Sequence, residues 1–361
     1  MSGALPPLTR PERAPSGAAA SPVAASHALP SSEPAERVLR RPLRWPGYVA
    51  ALVLVALLPF ALKGAYWQGI LVVCAMNVLL AMSLNLVIGD CGQLNLGQSA
   101  FFAIGAYVSA VLLKSHGWPF WWAVSAAILA AGALGLLLAA FAARLRGHYL
   151  GIASLGFAVI VYQVLVNWES VTQGVRGIYG IRPPPPMTLG PLGVIEFSNP
   201  AHLFYLVALI ALLVYGVLDN LMRSPVGETL RSIREDEISA ASLGVNPARW
   251  KAFSVGLGAA IAGLAGCFYP GFVGTLVPDA FSIVESFTML AMVIVGGLGT
   301  RVGPVIGAVV LTFLPELLRD FGDWRLMVYG IALTLCVLFM PGGMVQAWHL
   351  ARSRWARQGA H

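Results

Sequence analysis

RSPVGETLRSIREDEISAASLGVNPARWK, residues 223–251, holds nine charged side chains in 29 positions. The whole chain has only 23 basic and 16 acidic residues in 361. Long apolar runs, almost free of charge, flank this stretch on both sides. A charged side chain at the centre of a bilayer costs about 3 kcal/mol or more. The stretch therefore faces water, and its neighbours are the segments that cross lipid.

Composition places the rest of the chain in the same class. Hydrophobic residues make up 58% and charged residues 11%, with mean hydropathy +0.76. A soluble domain carries about 25% charge. The expectation is an all-α, polytopic integral membrane protein. The net charge of +7 does not mark a nucleic-acid surface, because the basic residues gather at the edges of apolar runs, as they do in cytoplasmic loops of membrane proteins. Cys74, Cys91, Cys267 and Cys336 lie in or beside apolar runs without CxxC or metal-like spacing, so they read as small packing residues.

At about 20 residues per crossing, ten spans are expected, near 47–62, 67–88, 96–113, 119–143, 149–167, 201–222, 250–269, 285–299, 303–319 and 325–345. The eighth and ninth are short and are read as broken or re-entrant candidates, which sets the range at eight to ten. Residues 1–36, rich in Pro, Ala, Ser and Gly, read as a disordered extension without an evident signal peptide. Residues 37–345 form the transmembrane domain, and 346–361 a basic cytoplasmic tail. Arg37, Arg40, Arg41 and Arg44 place the N-terminus in the cytoplasm. Ten spans put Arg144, Arg146, the 223–251 stretch, Arg301 and the C-terminal arginines on that same side. Loop 168–200, with Pro183 to Pro186, is then the largest external feature. It reads either as a stiff polyproline spacer or as a contact for an external partner.

Gly92 to Ser99, GQLNLGQS, nearly matches the phosphate-binding pattern GxxxxGK[ST]. Gln98 stands where the lysine that meets the phosphates is required, and the segment joins two spans, so nucleotide binding is rejected. The wider stretch Asn85 to Ser99, NLVIGDCGQLNLGQS, sets Asn85, Asp90, Gln93, Asn95, Gln98 and Ser99 among three glycines. Polar, loosened backbone between spans is tolerated where it lines a cavity or packs on protein. Asn85, Gln93, Asn95, Gln98 and Ser99 are therefore candidate substrate-pathway residues, the plainer reading being a polar turn with interhelical hydrogen bonds. Glu285 joins them as the only acid in or beside the eighth span, a functional candidate by default or a solvated group at the outer interface. Gly299, Gly303 and Gly307, with Ala259 and Gly263, have the four-residue spacing of close helix packing. His116, His148 and His202 are scattered, and no metal site is expected.

Within 223–251, Ser224 suits a helix N-cap, Pro225 the first helical position and Gly244 the left-handed C′ position. The expectation is one water-facing helix of about 18 residues, with Leu230, Ile233, Ala240 and Ala241 recurring at helical spacing. Asn246 and Pro247 then restart the chain into the next span. A capped helix hinged onto a membrane helix can carry force from a soluble partner; an ordinary solvated loop helix is the bland alternative.

Four segments carry a family resemblance: GDCGQLNLGQSAFFAIGAYVSAVLL (89–113), RGHYLGIASLGFAVIVYQVL (146–165), SPVGETLRSIREDEISAASLGVNPARWKAFSVGLGAAIAGLAG (224–266) and SFTMLAMVIVGGLGTRVGPVIGA (286–308). They resemble the LivM-type permeases, membrane subunits of ABC importers for branched-chain amino acids. The resemblance implies alternating access, a second LivH-like permease, two cytoplasmic ATPases that bind the ATP and magnesium, and a periplasmic substrate-binding protein. A permease of this kind carries no cofactor or catalysis of its own and lies in the bacterial inner membrane, and the charge pattern adds no nucleic-acid partner and both termini in the cytoplasm. By position the resemblance assigns Arg231, Glu235, Glu237, Ala241 and Gly244 to a coupling helix on an ATPase. The importer pattern Glu-Ala-Ala followed by Gly after three residues is not met, since Ile238 stands six before Gly244. A permease for urea or short amides is the alternative within the class. An ion-coupled secondary transporter is the alternative outside it, and it would need buried ionisable groups that the spans almost lack.

Overall fold

The computed structural model describes residues 52–53, 55–59, 64–142, 149–188, 194–324, 327–328, 330–331, 334 and 343–345. The expectations for residues 1–36, Arg37 to Arg44, Arg144, Arg146, His148, Cys336 and the tail 346–361 lie outside these residues.

Helix dominates because uncharged apolar runs of this length satisfy their backbone groups internally only as helices. The long helices are α1 (Ala65–Asn85), α2 (Gln98–Ser115), α3 (Phe120–Ala142) and α4 (Tyr149–Asn167). A short α5 (Glu169–Thr172) follows, then α6 (Pro200–Arg223), α7 (Pro225–Glu235), α8 (Glu237–Ser242), α9 (Pro247–Val273), α10 (Ile283–Gly296) and α11 (Gly303–Leu317). Seven segments are long and apolar enough to cross a membrane: 65–90, 98–115, 120–141, 150–167, 200–223, 247–273 and 278–296. They match the second to eighth expected spans. The ninth is α11, apolar but shorter. The first and tenth fall largely outside the described residues.

Helices α1 and α9 organise the rest. Helix α9 packs on α1, α2 and α3, while α1 also meets α6, α10 and α11. The crossings are made by small residues. A Cβ on Gly266 would approach the Ala106 nitrogen at 2.8 Å, and one on Gly135 would sit 2.5 Å from the Ala259 methyl. Gly263, Gly303 and Gly307 lie at equally tight approaches, so the four-residue glycine spacing acts in packing. Helix α4 is the converse: only 22% of its span window is buried, leaving apolar flanks for lipid. Trp118, Trp121, Trp122, Trp168 and Trp324 are exposed at the end of the helices opposite α7 and α8. Such rings favour the membrane–water interface.

Two details depart from the all-helical expectation. Loop 168–200 contains two-residue strands, β1 (Ile178–Tyr179) paired antiparallel with β4 (Thr275–Leu276), and β2 (Met187–Thr188) paired with β3 (Val194–Ile195). Pro183 and Pro184 lie against Gly271, where a Cβ would meet them at 3.3 and 3.4 Å.

The charged stretch is also not one helix of about 18 residues. Asp236 adopts an extended conformation (φ −154°, ψ 107°) and divides it into α7 and α8. The reason is local: the Asp236 carboxylate accepts from Ile238 N at 2.9 Å, from Ser239 N at 3.2 Å and from the Ser239 hydroxyl at 2.6 Å, capping a new helix. Ser224 holds the N-cap position of α7, yet its hydroxyl donates to Leu221 O at 2.6 Å. Gly244 does take a left-handed φ of 88°. Asn246 caps α9, accepting from Arg249 N at 3.2 Å.

Candidate functional site

The water-facing stretch is joined to the membrane helices at one junction. Helix α7 buries Gly227, Leu230 and Ile233, and Leu230 packs with Leu86, Cys91 and Met222. Burial there pushes the Cys91 thiol above its usual range. Leu86 opens a π-helical turn, Leu86–Asp90, that continues α1. A π turn re-registers the backbone and frees carbonyls, and Arg234 of α7 donates to one of them, Gly89 O. The Arg234 stem lies over Gly92: a Cβ there would stand 2.9 Å from its Cγ and 3.3 Å from its Cα. Gly92 also has φ 74°, so glycine is required twice over.

The loop between α10 and α11 is held at the same place. Asn85 donates to Thr300 O at 3.2 Å and accepts from Gly299 N at 2.9 Å. Arg301 pairs with the buried Asp219 of α6, and donates to Asp219 O at 2.9 Å. Asp219 also accepts from Arg223 Nε at 2.8 Å. Asp90 is buried within electrostatic reach of Arg231, Arg234 and Arg301. Asn85, Asp90, Asp219, Thr300 and Arg301 share the wall of a cavity of about 30 Å³. Three membrane elements and α7 thus converge on one charged knot. The sequence reading does not single out Asp219, Arg234 or Arg301. The available signal was the Asp219–Arg223 pair, four residues apart at the end of an apolar run.

Of the candidate coupling residues, Arg231 is half-buried and donates to Met222 O at 3.4 Å, so it faces the membrane side. Glu235, Glu237, Ala241 and Gly244 are exposed, and Glu237 pairs with Lys251 of α9 at 2.5 Å. Beside them stand two apolar side chains, Ile238 and Leu243, at 82% and 84% exposure. Their short helix is fixed by Asp236. The Ser239 hydroxyl first, then the Ser239 and Ile238 N–H groups, hold its carboxyl below the usual range.

The candidate pathway residues form two groups. Asn85, Gln93, Asn95, Gln98 and Ser99 are all buried. Gln98 donates to Ser83 Oγ at 2.7 Å and to Gly258 O at 3.4 Å, and Asn95 donates to Gln98 Oε1 at 3.1 Å. The Ser99 N–H and the Ser286 hydroxyl close a link from α2 to α10, at 3.0 and 2.8 Å. Leu96 N reaches Ser154 Oγ of α4 at 2.9 Å, while Gln93 turns to Cys91 Sγ at 3.3 Å. This polar layer ties α1, α2, α4, α9 and α10 together by hydrogen bonds of the kind that hold membrane helices.

Glu285 stands apart. It is half-buried in the first turn of α10 and lines a groove of about 840 Å³ between α1, α9, α10 and α11. Among the described residues, no three His, Cys, Asp or Glu side chains gather to hold a metal.

Comparison with known proteins agrees with this architecture. The profile of a family described as a branched-chain amino acid transport system permease component matches residues 66–339. The chain is 35% identical over 320 residues to the Escherichia coli K12 high-affinity branched-chain amino acid transport system permease protein LivM, covering 82% of this chain and 74% of that protein. The Salmonella typhimurium LivM is also 35% identical, over 291 residues, 74% of this chain and 67% of the relative. The E. coli LivH permease is 25% identical over 284 residues, 74% of this chain and 90% of the relative. No solved structure gives a significant match. These relatives are described as permeases of branched-chain amino acid transport systems.

Proposed function

The chain belongs to the permease family of branched-chain amino acid transport systems, and on that premise we propose that it is one membrane half of an ATP-driven importer for branched-chain or related hydrophobic amino acids. Its partners in this reading are a LivH-like permease, two cytoplasmic ATPases that carry ATP and magnesium, and a soluble binding protein on the outer face. It lies in the bacterial inner membrane with ten spans and both termini cytoplasmic, the arrangement favoured by its arginines.

One observation supports the coupling mechanism above the others: the exposed helix pair is pinned to the membrane helices. Helix α8 and its C-cap offer Ile238 and Leu243, rimmed by Glu235 and Glu237, to a partner. Helix α7, directly before it, is anchored through Leu230 and Arg234 to the π turn of α1. A displacement of α8 by an ATPase is thereby delivered to α1, and through Asn85 and the 297–302 loop to α10 and α11. Arg231 holds the lever from behind. These connected helices then open the pathway alternately outward and inward.

The test is reconstitution of the four partner types with this chain in proteoliposomes. Uptake of labelled leucine, isoleucine or valine should require ATP hydrolysis and the binding protein. Ile238→Asp with Leu243→Asp should abolish co-purification of the ATPase. Uptake driven by an ion gradient without ATP would overturn the reading.

A further inference from the structure

The Glu285 carboxylate has no hydrogen bond or ion pair among the described residues, although it is half-buried in the first turn of an apolar span, where an uncompensated charge is costly. Aromatic and apolar side chains line the same groove as Glu285. Tyr269 packs edge-on to Phe102 and Phe281 at centroid distances of 5.6 and 5.5 Å. With Tyr269 and Phe102, the groove is lined by Met76, Met292, Leu311 and Phe272. The neighbouring polar groups are satisfied: Asn77 donates to Thr312 Oγ1 at 2.9 Å, and Tyr66 donates to Glu316 at 2.5 Å. Of the two acids that line this groove, Glu285 is the one whose carboxylate has no hydrogen bond among the described residues.

We propose that the groove is a transit site for the amino-acid cargo, with the Glu285 carboxylate and the Tyr269–Phe102 rings receiving the α-ammonium group and the Met and Leu wall receiving the branched side chain. The inference rests on the importer reading and deepens it. The physical grounds are complementarity of charge and shape. A carboxylate beside aromatic faces is a good ammonium site, since both attract a desolvated cation. The volume, about 840 Å³, lies within the usual range of small-molecule sites. The site adjoins the hydrogen-bonded polar layer, since Ser286, next to Glu285, bonds Ser99, but the amides of Asn95 and Gln98 already answer one another. In this assignment the polar layer fastens the helices beside the groove.

The experiment uses the complete reconstituted importer with saturating binding protein. Glu285→Gln should lower leucine transported per ATP hydrolysed by about tenfold or more, the loss of one charge-assisted contact. Glu285→Asp should recover part of it, and Glu169→Gln, outside the groove, should transport as wild type. All three complexes should co-purify with the second permease at normal stoichiometry and keep binding-protein-stimulated ATPase activity. Normal transport by Glu285→Gln overturns the assignment. So does its failure to assemble with the second permease, which would make Glu285 an intersubunit contact. If the wild-type complex carries no such amino acid, the importer reading itself falls, and this assignment with it.

Discussion

Replacing Asp219 by Asn isolates the knot that joins α6 to the 297–302 loop. The substitution keeps size and shape and removes one charge. The Asp219 side chain is 7% exposed and answers two guanidinium groups, those of Arg223 and Arg301, which are 31% and 30% exposed. A hydrogen bond to a charged group contributes about 1.5–3 kcal/mol, so two give an upper bound of about 3–6 kcal/mol. Both arginines can regain water through their exposed third, and Arg301 keeps its bond to Asp219 O. Halving the bound for this screening leaves about 2 kcal/mol. Denaturant titration of the purified permease, followed by tryptophan fluorescence, should show a loss of that size. The double variant with Arg301→Gln should lose less than the two single losses together, because both act on one contact. A loss below about 0.5 kcal/mol, the range of ordinary surface substitutions, would refute the claim that this pair fastens the loop.

Gly92→Val adds a side chain where φ is positive and the Arg234 stem is already 2.9 Å away. Its expected cost is about 2 kcal/mol or more, with ATP hydrolysis continuing while transport per ATP falls; normal coupling in that variant would contradict the Arg234 pin. For Asp236 the sign follows from a lowered folded value. Its contribution is complete above the ordinary aspartate range, about 4, and is lost only as pH falls through the lower folded value. Hydrogen-exchange protection of the α8 amides, corrected for intrinsic rates, should therefore be flat from about pH 6 to 8 and should drop in Asp236→Ala. A slope across that interval would contradict the capping role.

Much of this protein is legible from local sequence alone. Lipid imposes one requirement on every spanning segment, closure of its own backbone hydrogen bonds, so seven expected spans coincide with seven apolar helices. Charge density marked 223–251 as water-facing, and Pro225, Gly244 and Asn246 sit where helix-end chemistry puts them. The break at Asp236 was harder to read. Its carboxylate can either decorate a continuous helix or cap a new one, and local sequence does not choose between them. The partners of Asn95 and Gln98 were equally hidden: the bonds from Gln98 to Ser83 and Gly258 join residues 15 and 160 positions apart.

What the amino-acid order determined by itself is therefore the membrane class, the spans and the place of the water-facing stretch, because each depends on hydrophobicity and capping within a few turns. Tertiary structure decided which polar groups are spent on one another and which are left over. Asp219 meets Arg301 across 82 residues and Arg234 meets Gly89 across 145, and such pairings follow from helix packing, which no local pattern encodes. Glu285 stands out for the same reason: the packing that satisfied its polar neighbours left that carboxylate facing an open groove.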